Sequence, residues 1–188
     1  MNFEIYITAA WLIFVIVWAV GSLLTKPTAR KQSPGSALLH RSIFMAAVLL
    51  LFAHIRLPGS LDLRLIPKGT AVSWAALAST VTGIGFAIWA RFYLGGNWSS
   101  SVTIKHDHNL VRSGPYAFVR HAIYSGILLA LVGTTLVSGK VRGLMGLVVA
   151  VVGFRMKSYV EENFMIRQFG AQYGEYKREV KALVPFIW

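Results

Sequence analysis

The chain has 188 residues, 55% hydrophobic and only 14% charged, against roughly 25% charged residues in an average soluble domain. Lys and Arg total 19 against 7 Asp and Glu, for a formal net charge of +12, and there is no cysteine. These values exclude a disordered chain, disulfides, cysteine-ligated zinc and a cysteine nucleophile, and point away from a water-soluble domain.

Residues 5–25 form a 21-residue stretch without Asp, Glu, Lys or Arg. Crossing about 30 Å of hydrocarbon takes roughly 20 apolar residues, so a first spanning helix is predicted near 4–24. A cleaved signal peptide would need a positive leading region and a shorter apolar run; here Glu4 leads, and no small-residue cleavage signal precedes Lys26. Residues 25–36, TKPTARKQSPGS, read as a turn broken by Pro27, Pro34 and Gly35. The uncharged run 42–55 predicts a second helix near 37–56, with polar ends that reach the interface. A loop with Pro58, Gly59 and Pro67 follows. The 22 uncharged positions of 69–90 predict a third helix near 71–93.

The third connection, about 94–120, is long. It carries Trp98, Val102, Ile104, Leu110, Val111, Tyr116 and Phe118, too apolar for disorder, with glycines at Gly95, Gly96 and Gly114 where backbone can turn tightly. The uncharged stretch 121–139 predicts a fourth helix at 121–138, and the shorter run 143–154 a fifth near 142–160. Only residues 139–143 join them, so they must form an antiparallel hairpin. The expected fold is an all-α polytopic membrane bundle of about five transmembrane helices, with a folded third loop and C-terminal amphipathic helices. It divides into an N-terminal part, 1–70, and a core, 71–188.

Fourteen of the 19 Lys and Arg fall in the first loop, the third loop and the tail; five fall on the opposite side. The positive-inside bias then puts the N-terminus outside and the third loop and C-terminus in the cytoplasm. A basic balance also suits nucleic acid, but no nucleic-acid motif is present and the loop pattern accounts for the charge.

The fourth helix opens Arg120-His121-Ala122-Ile123-Tyr124, with Arg120, His121 and Tyr124 on one face at spacings of three and four. The fifth continues past its apolar run into Arg155, Lys157, Glu161 and Glu162. Ionisable groups at membrane depth are costly and face a polar cavity or one another. The competing reading has Arg155 and Lys157 reaching to the interface, with Lys157 pairing with Glu161. In the functional reading, the hairpin brings both charged ends together as the walls of a pocket. In the tail, Ile166, Phe169, Tyr173, Tyr176, Val180 and Leu183 recur at helical spacing, with a break expected at Gly170 and Gly174.

SVTIKHDHNLVRSGPYAFVRHAIYSG, followed by EENFMIRQFGAQYGEYKREVKALVPFIW, resembles the isoprenylcysteine carboxyl methyltransferase family, whose C-terminal region is shared by the phospholipid N-methyltransferases. LVRSGPY, RHxxYxG, EE and FGxxYxxY occur in order over about residues 91–187. One departure is Ala122, where the family typically has proline. The resemblance implies an integral-membrane enzyme that transfers a methyl group from S-adenosylmethionine, leaving S-adenosylhomocysteine. The acceptor it implies is lipophilic, enters from the bilayer, and carries an isoprenylcysteine-like carboxylate; a phospholipid amine or small thiol is an alternative. It further implies a cofactor site of His108, Leu110, Val111, Gly114, Tyr116, Arg120, His121, Tyr124, Glu161 and Glu162. Arg120, His121, Tyr124 and Glu162 would be catalytic, and no metal is implied. A carboxylate acceptor would need a cation to orient it, and Arg155, Lys157 and Arg167 are the candidates for binding substrate. Rival readings are a non-catalytic membrane module and a sterol-reductase-like enzyme using NADPH.

Overall fold

The computed structural model describes residues 2–23, 28–52, 59–98, 103–105 and 110–185. In chain order the main elements are α1 (Phe3–Ser22), β1 (Thr28–Lys31), α2 (Pro34–Phe52), α3 (Thr70–Leu94), β2 (Thr103–Lys105), α4 (Ala122–Ser138), α5 (Val141–Phe169) and α6 (Ala171–Glu179). By length and composition α1, α2, α3 and α5 can each cross a membrane, and α4 is an apolar helix of 17 residues, about 25 Å long. On α1 only Ile7 and Gly21 are buried, while Leu12, Ile13 and Ile16 are exposed. Such a face needs lipid, and the chain is an integral-membrane bundle.

The tightest packing joins α3 and α4 through small residues. On α3, Ala76, Thr80, Gly83, Ala87 and Ala90 are buried at spacings of 4, 3, 4 and 3; on α4, Gly126, Ala130 and Gly133 face them. A Cβ added at Gly126 would lie 2.6 Å from the Gly83 oxygen and from the Ala87 nitrogen, so only glycine permits this approach. The α2 helix lies on α5, with Ile43 against Gly153 and Phe44 edge-on to Phe154 at 4.5 Å. On α1, Trp11 Nε1 donates to Thr134 Oγ1 on α4 at 2.9 Å.

The α4–α5 hairpin forms as expected. Its turn is Gly139, at φ +61, and Lys140; the Gly139 oxygen accepts from the Leu65 and Ile66 amides at 2.8 and 3.1 Å. Asp62 takes both Lys140 Nζ, at 3.0 Å, and Arg142 Nε, at 3.2 Å. At the other end, the buried Arg91 guanidinium donates to the carbonyls of Gly95, at 2.9 Å, and Gly21, and sits 4.3 Å from the Trp98 ring centre. It thereby ties the end of α1 to the end of α3. The first loop, the third loop and the tail therefore share one end of the bundle.

Three expectations change. A two-stranded antiparallel ribbon, β1 with β2, joins the first and third loops where only loop was expected. The fifth helix runs to Phe169 and not 160, because its charged residues find partners and do not end the helix. The break in the tail falls at Gly170, at φ +51, while Gly174 lies within α6. The helix ends at Glu179, with Val180 extended and bends following, so Val180 and Leu183 do not continue a helical stripe. The carbonyls of Lys181 and Ala182 instead accept from the Arg120 and His121 amides, at 2.9 and 3.0 Å.

Candidate functional site

Glu161 lies twenty residues, about 30 Å, along α5 from Val141. That is one hydrocarbon thickness, so Glu161 and Glu162 sit at the interface. The hairpin brings the start of α4 to the same level, and five of the expected residues meet there. Glu162 Oε1 accepts from Arg120 Nη2 at 2.6 Å and Nε at 3.2 Å, with His121 Nε2 at 3.3 Å. Its other oxygen is 2.7 Å from Lys177 Nζ, a residue that sequence reasoning left out. Glu161 Oε2 is 3.4 Å from His121 Nδ1, and its Oε1 accepts from the Tyr124 hydroxyl. The His121 and Tyr124 rings are stacked with centres 5.5 Å apart.

His121 is thus held between two carboxylates. Burial works against its charged form, but the hydrogen bonds and fields of Glu161 and Glu162 prevail and raise its pKa above the ordinary value. Arg120 does a different task. Its Nη1 donates to the carbonyls of Lys177, at 3.1 Å, and Val180, so the guanidinium binds the end of α6 and the start of the tail to the cluster. Ser125 Oγ adds a bond to the Leu183 oxygen at 2.6 Å. Side-chain exposure separates the two acids: Glu162 is 4% exposed and Glu161 24%. Glu162 is enclosed by partners, while Glu161 is the one a ligand can reach.

Other expected residues lie elsewhere. Tyr116 is buried among Ala90, Trp98, Val119 and Ile123, and its hydroxyl donates to the Ala90 oxygen at 3.3 Å. Its carbonyl accepts from the Tyr176 hydroxyl at 2.5 Å. Burial, foremost, pushes the phenols of Tyr116, Tyr173 and Tyr176 well above the ordinary range, so all three stay protonated. Val111 packs on the Tyr116 layer, Leu110 is half-buried, and Gly114, at φ +59, lies against the Tyr93 ring. Arg112, 2.5 Å from Glu179, ties this strip to α6. His108 lies outside the described residues. The three expected substrate cations diverge: Lys157 points at the Tyr124 ring, 5.3 Å away, Arg155 lines a groove against α2, and Arg167 is exposed in the last turn of α5.

Directly beside the cluster is a cavity of about 280 Å3 inside the bundle, lined by Trp11, Trp18, Phe52, Ile127, Leu131 and Phe154 among others. Tyr124 and Lys157 close its polar end. The aromatics of α1, at 11, 14 and 18, were not singled out in the sequence, although that spacing puts all three on one helical face.

Fold and site together define a polytopic membrane helix bundle with a buried charged cluster abutting an apolar chamber. A family model described as phospholipid methyltransferase matches residues 71–172, and the chain belongs to that family. Among curated relatives, it is 29% identical over 119 residues to a probable protein-S-isoprenylcysteine O-methyltransferase of Oryza sativa subsp. indica, covering 62% of each chain. It is 33% identical over 127 residues to the protein-S-isoprenylcysteine O-methyltransferase of Rattus norvegicus, covering 64% of this chain and 45% of the rat protein. The corresponding Schizosaccharomyces pombe protein is 33% identical over 101 residues, 52% of this chain and 43% of its own. The chain thus spans about two-fifths to three-fifths of the length of these relatives. A solved eukaryotic intramembrane Ras methyltransferase, an isoprenylcysteine carboxyl methyltransferase, has the same fold, with TM-score 0.57 and 23% identity over 85% of this chain and 55% of that one.

Proposed function

We propose that this protein transfers a methyl group from S-adenosylmethionine to the carboxylate of an isoprenylcysteine-like lipid, with residues 71–188 as the catalytic core. The observation that carries this reading is the contact between two unlike compartments. A buried cluster of two acids, a guanidinium and an imidazole meets an aromatic chamber, and Tyr124 belongs to both. The donor set fits the proposed cofactor, whose amino acid end carries an ammonium and a carboxylate beside a sulfonium. Bound there, S-adenosylmethionine would supply an electrophilic methyl group.

The accessible Glu161 would hold the ammonium, and His121, whose two ring nitrogens already face Glu161 and Glu162, would hold Glu161 in place. Arg120 and Glu162 act as positioning residues, because their polar atoms already hold each other and the tail. The chamber would take the apolar part of the acceptor, and Lys157 would orient its carboxylate. An ionised carboxylate needs no base. An amine or thiol acceptor would need one, and Glu161 is then the group in reach. The loop charges favour an N-terminus outside, with cluster and tail in the cytoplasm, where a water-soluble cofactor is available.

The test uses the purified full chain in lipid vesicles with methyl-labelled S-adenosylmethionine. N-acetyl-farnesylcysteine, phosphatidylethanolamine and a small thiol are offered separately. Label in the farnesylcysteine ester supports the proposal. Label in either other acceptor reassigns the substrate. No cofactor binding by calorimetry, or binding of NADPH in its place, overturns the methyltransferase reading.

A further inference from the structure

A second recess flanks the charged cluster on its α2 side. It is a groove of about 540 Å3 between the first turns of α2 and residues 155–160 of α5, and its lining includes Ser36, Leu39, His40, Arg155, Met156 and Tyr159. Arg155 is fourteen residues, about 21 Å, along α5 from Val141. That is about 9 Å short of the interface at Glu161, so the floor of the groove lies within the acyl region, and the long Arg155 side chain can reach up toward the headgroups at the same end of the bundle as Glu161. Its rim is apolar and faces outward, with Leu39 and Tyr159 49% and 59% exposed.

The inner wall is different. His40 is only 5% exposed, and its Nδ1 is buried with no hydrogen-bond partner among the described residues. An unpartnered buried polar atom costs about 1–3 kcal/mol, so native folds satisfy such atoms or reserve them for a ligand. Two further features share one sign. Arg155 brings a formal positive charge to the groove, and the N-terminal end of α2, a 19-residue helix opening Pro34-Gly35-Ser36, brings the positive pole of its dipole. An imidazole nitrogen, a guanidinium and a helix N-terminus converging under an apolar rim match an anionic oxygen cluster that carries hydrocarbon.

We infer that this groove binds the phosphodiester headgroup of an anionic phospholipid from the surrounding leaflet. The phosphate oxygens take hydrogen bonds from Arg155 and His40 at the mouth of α2, and the acyl chains lie along Leu39, Met156 and Tyr159. A phosphatidylcholine would bring its quaternary ammonium to the same positive groups and bind less well. The bound lipid holds α2 against α5 on the flank of the cluster. This inference stands on the groove alone and does not depend on methyl transfer.

The test takes the purified full chain in mild detergent, exchanged into equal mixtures of phosphatidylglycerol and phosphatidylcholine with matched chains, and counts retained lipids by native mass spectrometry. Phosphatidylglycerol should be retained about tenfold over phosphatidylcholine, a difference of about 1.4 kcal/mol. Arg155→Gln and His40→Phe should each remove most of that preference, with His40→Asn used if the phenylalanine variant does not fold. Lys68→Gln, at the opposite end, should keep it. Equal retention of the two lipids, or full preference in the Arg155 and His40 variants, overturns the inference. If inorganic phosphate alone raises the melting temperature as much as phosphatidylglycerol does, the site belongs to a soluble anion and the lipid assignment fails.

Discussion

Replacing Glu162 with glutamine keeps its shape and removes its charge. The carboxylate is 4% exposed and faces an Arg120 side chain that is 6% exposed, 2.6 Å away. Removing one partner of such a buried pair costs about 3–5 kcal/mol, because the other charge stays in place without compensation. Lys177 adds little: its side chain is 44% exposed, so water takes over and its share is about 0–1 kcal/mol. The retained glutamine oxygen still accepts one bond, which sets the expected loss at the lower end, about 3 kcal/mol. For a chain of this size that corresponds to a fall of about 6–12 °C in melting temperature. The assay is thermal unfolding of the detergent-solubilised full chain, followed by tryptophan emission, with Lys177→Gln alongside. Glu162→Gln should fall by the full amount and Lys177→Gln by less than about 3 °C. A Glu162→Gln melting point within about 3 °C of wild type would refute the reasoning, since Arg120 would then have other compensation.

The raised pKa of His121 gives a second outcome with a definite sign. Its contribution to stability is fully present below the ordinary imidazole value near 6.5 and is lost as pH rises through the higher folded value. Melting temperature followed from pH 6 upward should decline in wild type and stay flatter in His121→Gln. At the α3–α4 contact, Gly126→Leu should overpack and cost at least about 1–3 kcal/mol, seen as aggregation on size exclusion. Gly85→Ala, where nothing among the described residues lies within 4 Å, should be neutral or stabilise by up to about 1 kcal/mol. On the acceptor side, Lys157→Gln should raise the acceptor KM severalfold while calorimetry shows S-adenosylmethionine binding unchanged. Equal loss of both would mean that Lys157 serves the fold.

The helices were legible because long uncharged runs have one physical meaning in a membrane protein. The expected first helix at 4–24 and third at 71–93 compare with Phe3–Ser22 and Thr70–Leu94. The end of α5 was not legible. Arg155, Lys157 and the two glutamates look locally like an exit into water, whereas Lys157 and the glutamates meet Arg120, His121 and Tyr124, dozens of positions away. Non-local pairing hid the rest in the same way. The ribbon strands are three and four residues long, too short for any periodicity. The strip after Glu179 takes its conformation from the Arg120 and His121 amides and not from its own sequence. Grouping Arg120, His121, Tyr124, Glu161 and Glu162 needed only the hairpin, and the structure brings them together. Arg155, Lys157 and Arg167 were grouped by charge alone, and helical geometry separates them: two residues apart on a helix means opposite faces.

The placement of the cluster follows from a mismatch in helix length. The apolar helix α4 is 17 residues long, while α5 reaches Glu161 only after 20 and continues to Phe169. A hairpin with a two-residue turn keeps the helices in step, so α5 must overshoot the start of α4. The overshoot carries Glu161 and Glu162 to the level of Arg120 and His121 and leaves their outer side open. Water there would screen the ion pairs and weaken them. The tail removes that water: α6 brings Lys177 to Glu162, and the 180–183 strip covers Arg120 and His121 from outside. The charged cluster is therefore not a property of the bundle alone. It becomes a low-dielectric site only once residues 171–185 have folded back over it, which makes Arg120, the residue that bonds to both the acid and the tail, the hinge of the assembly.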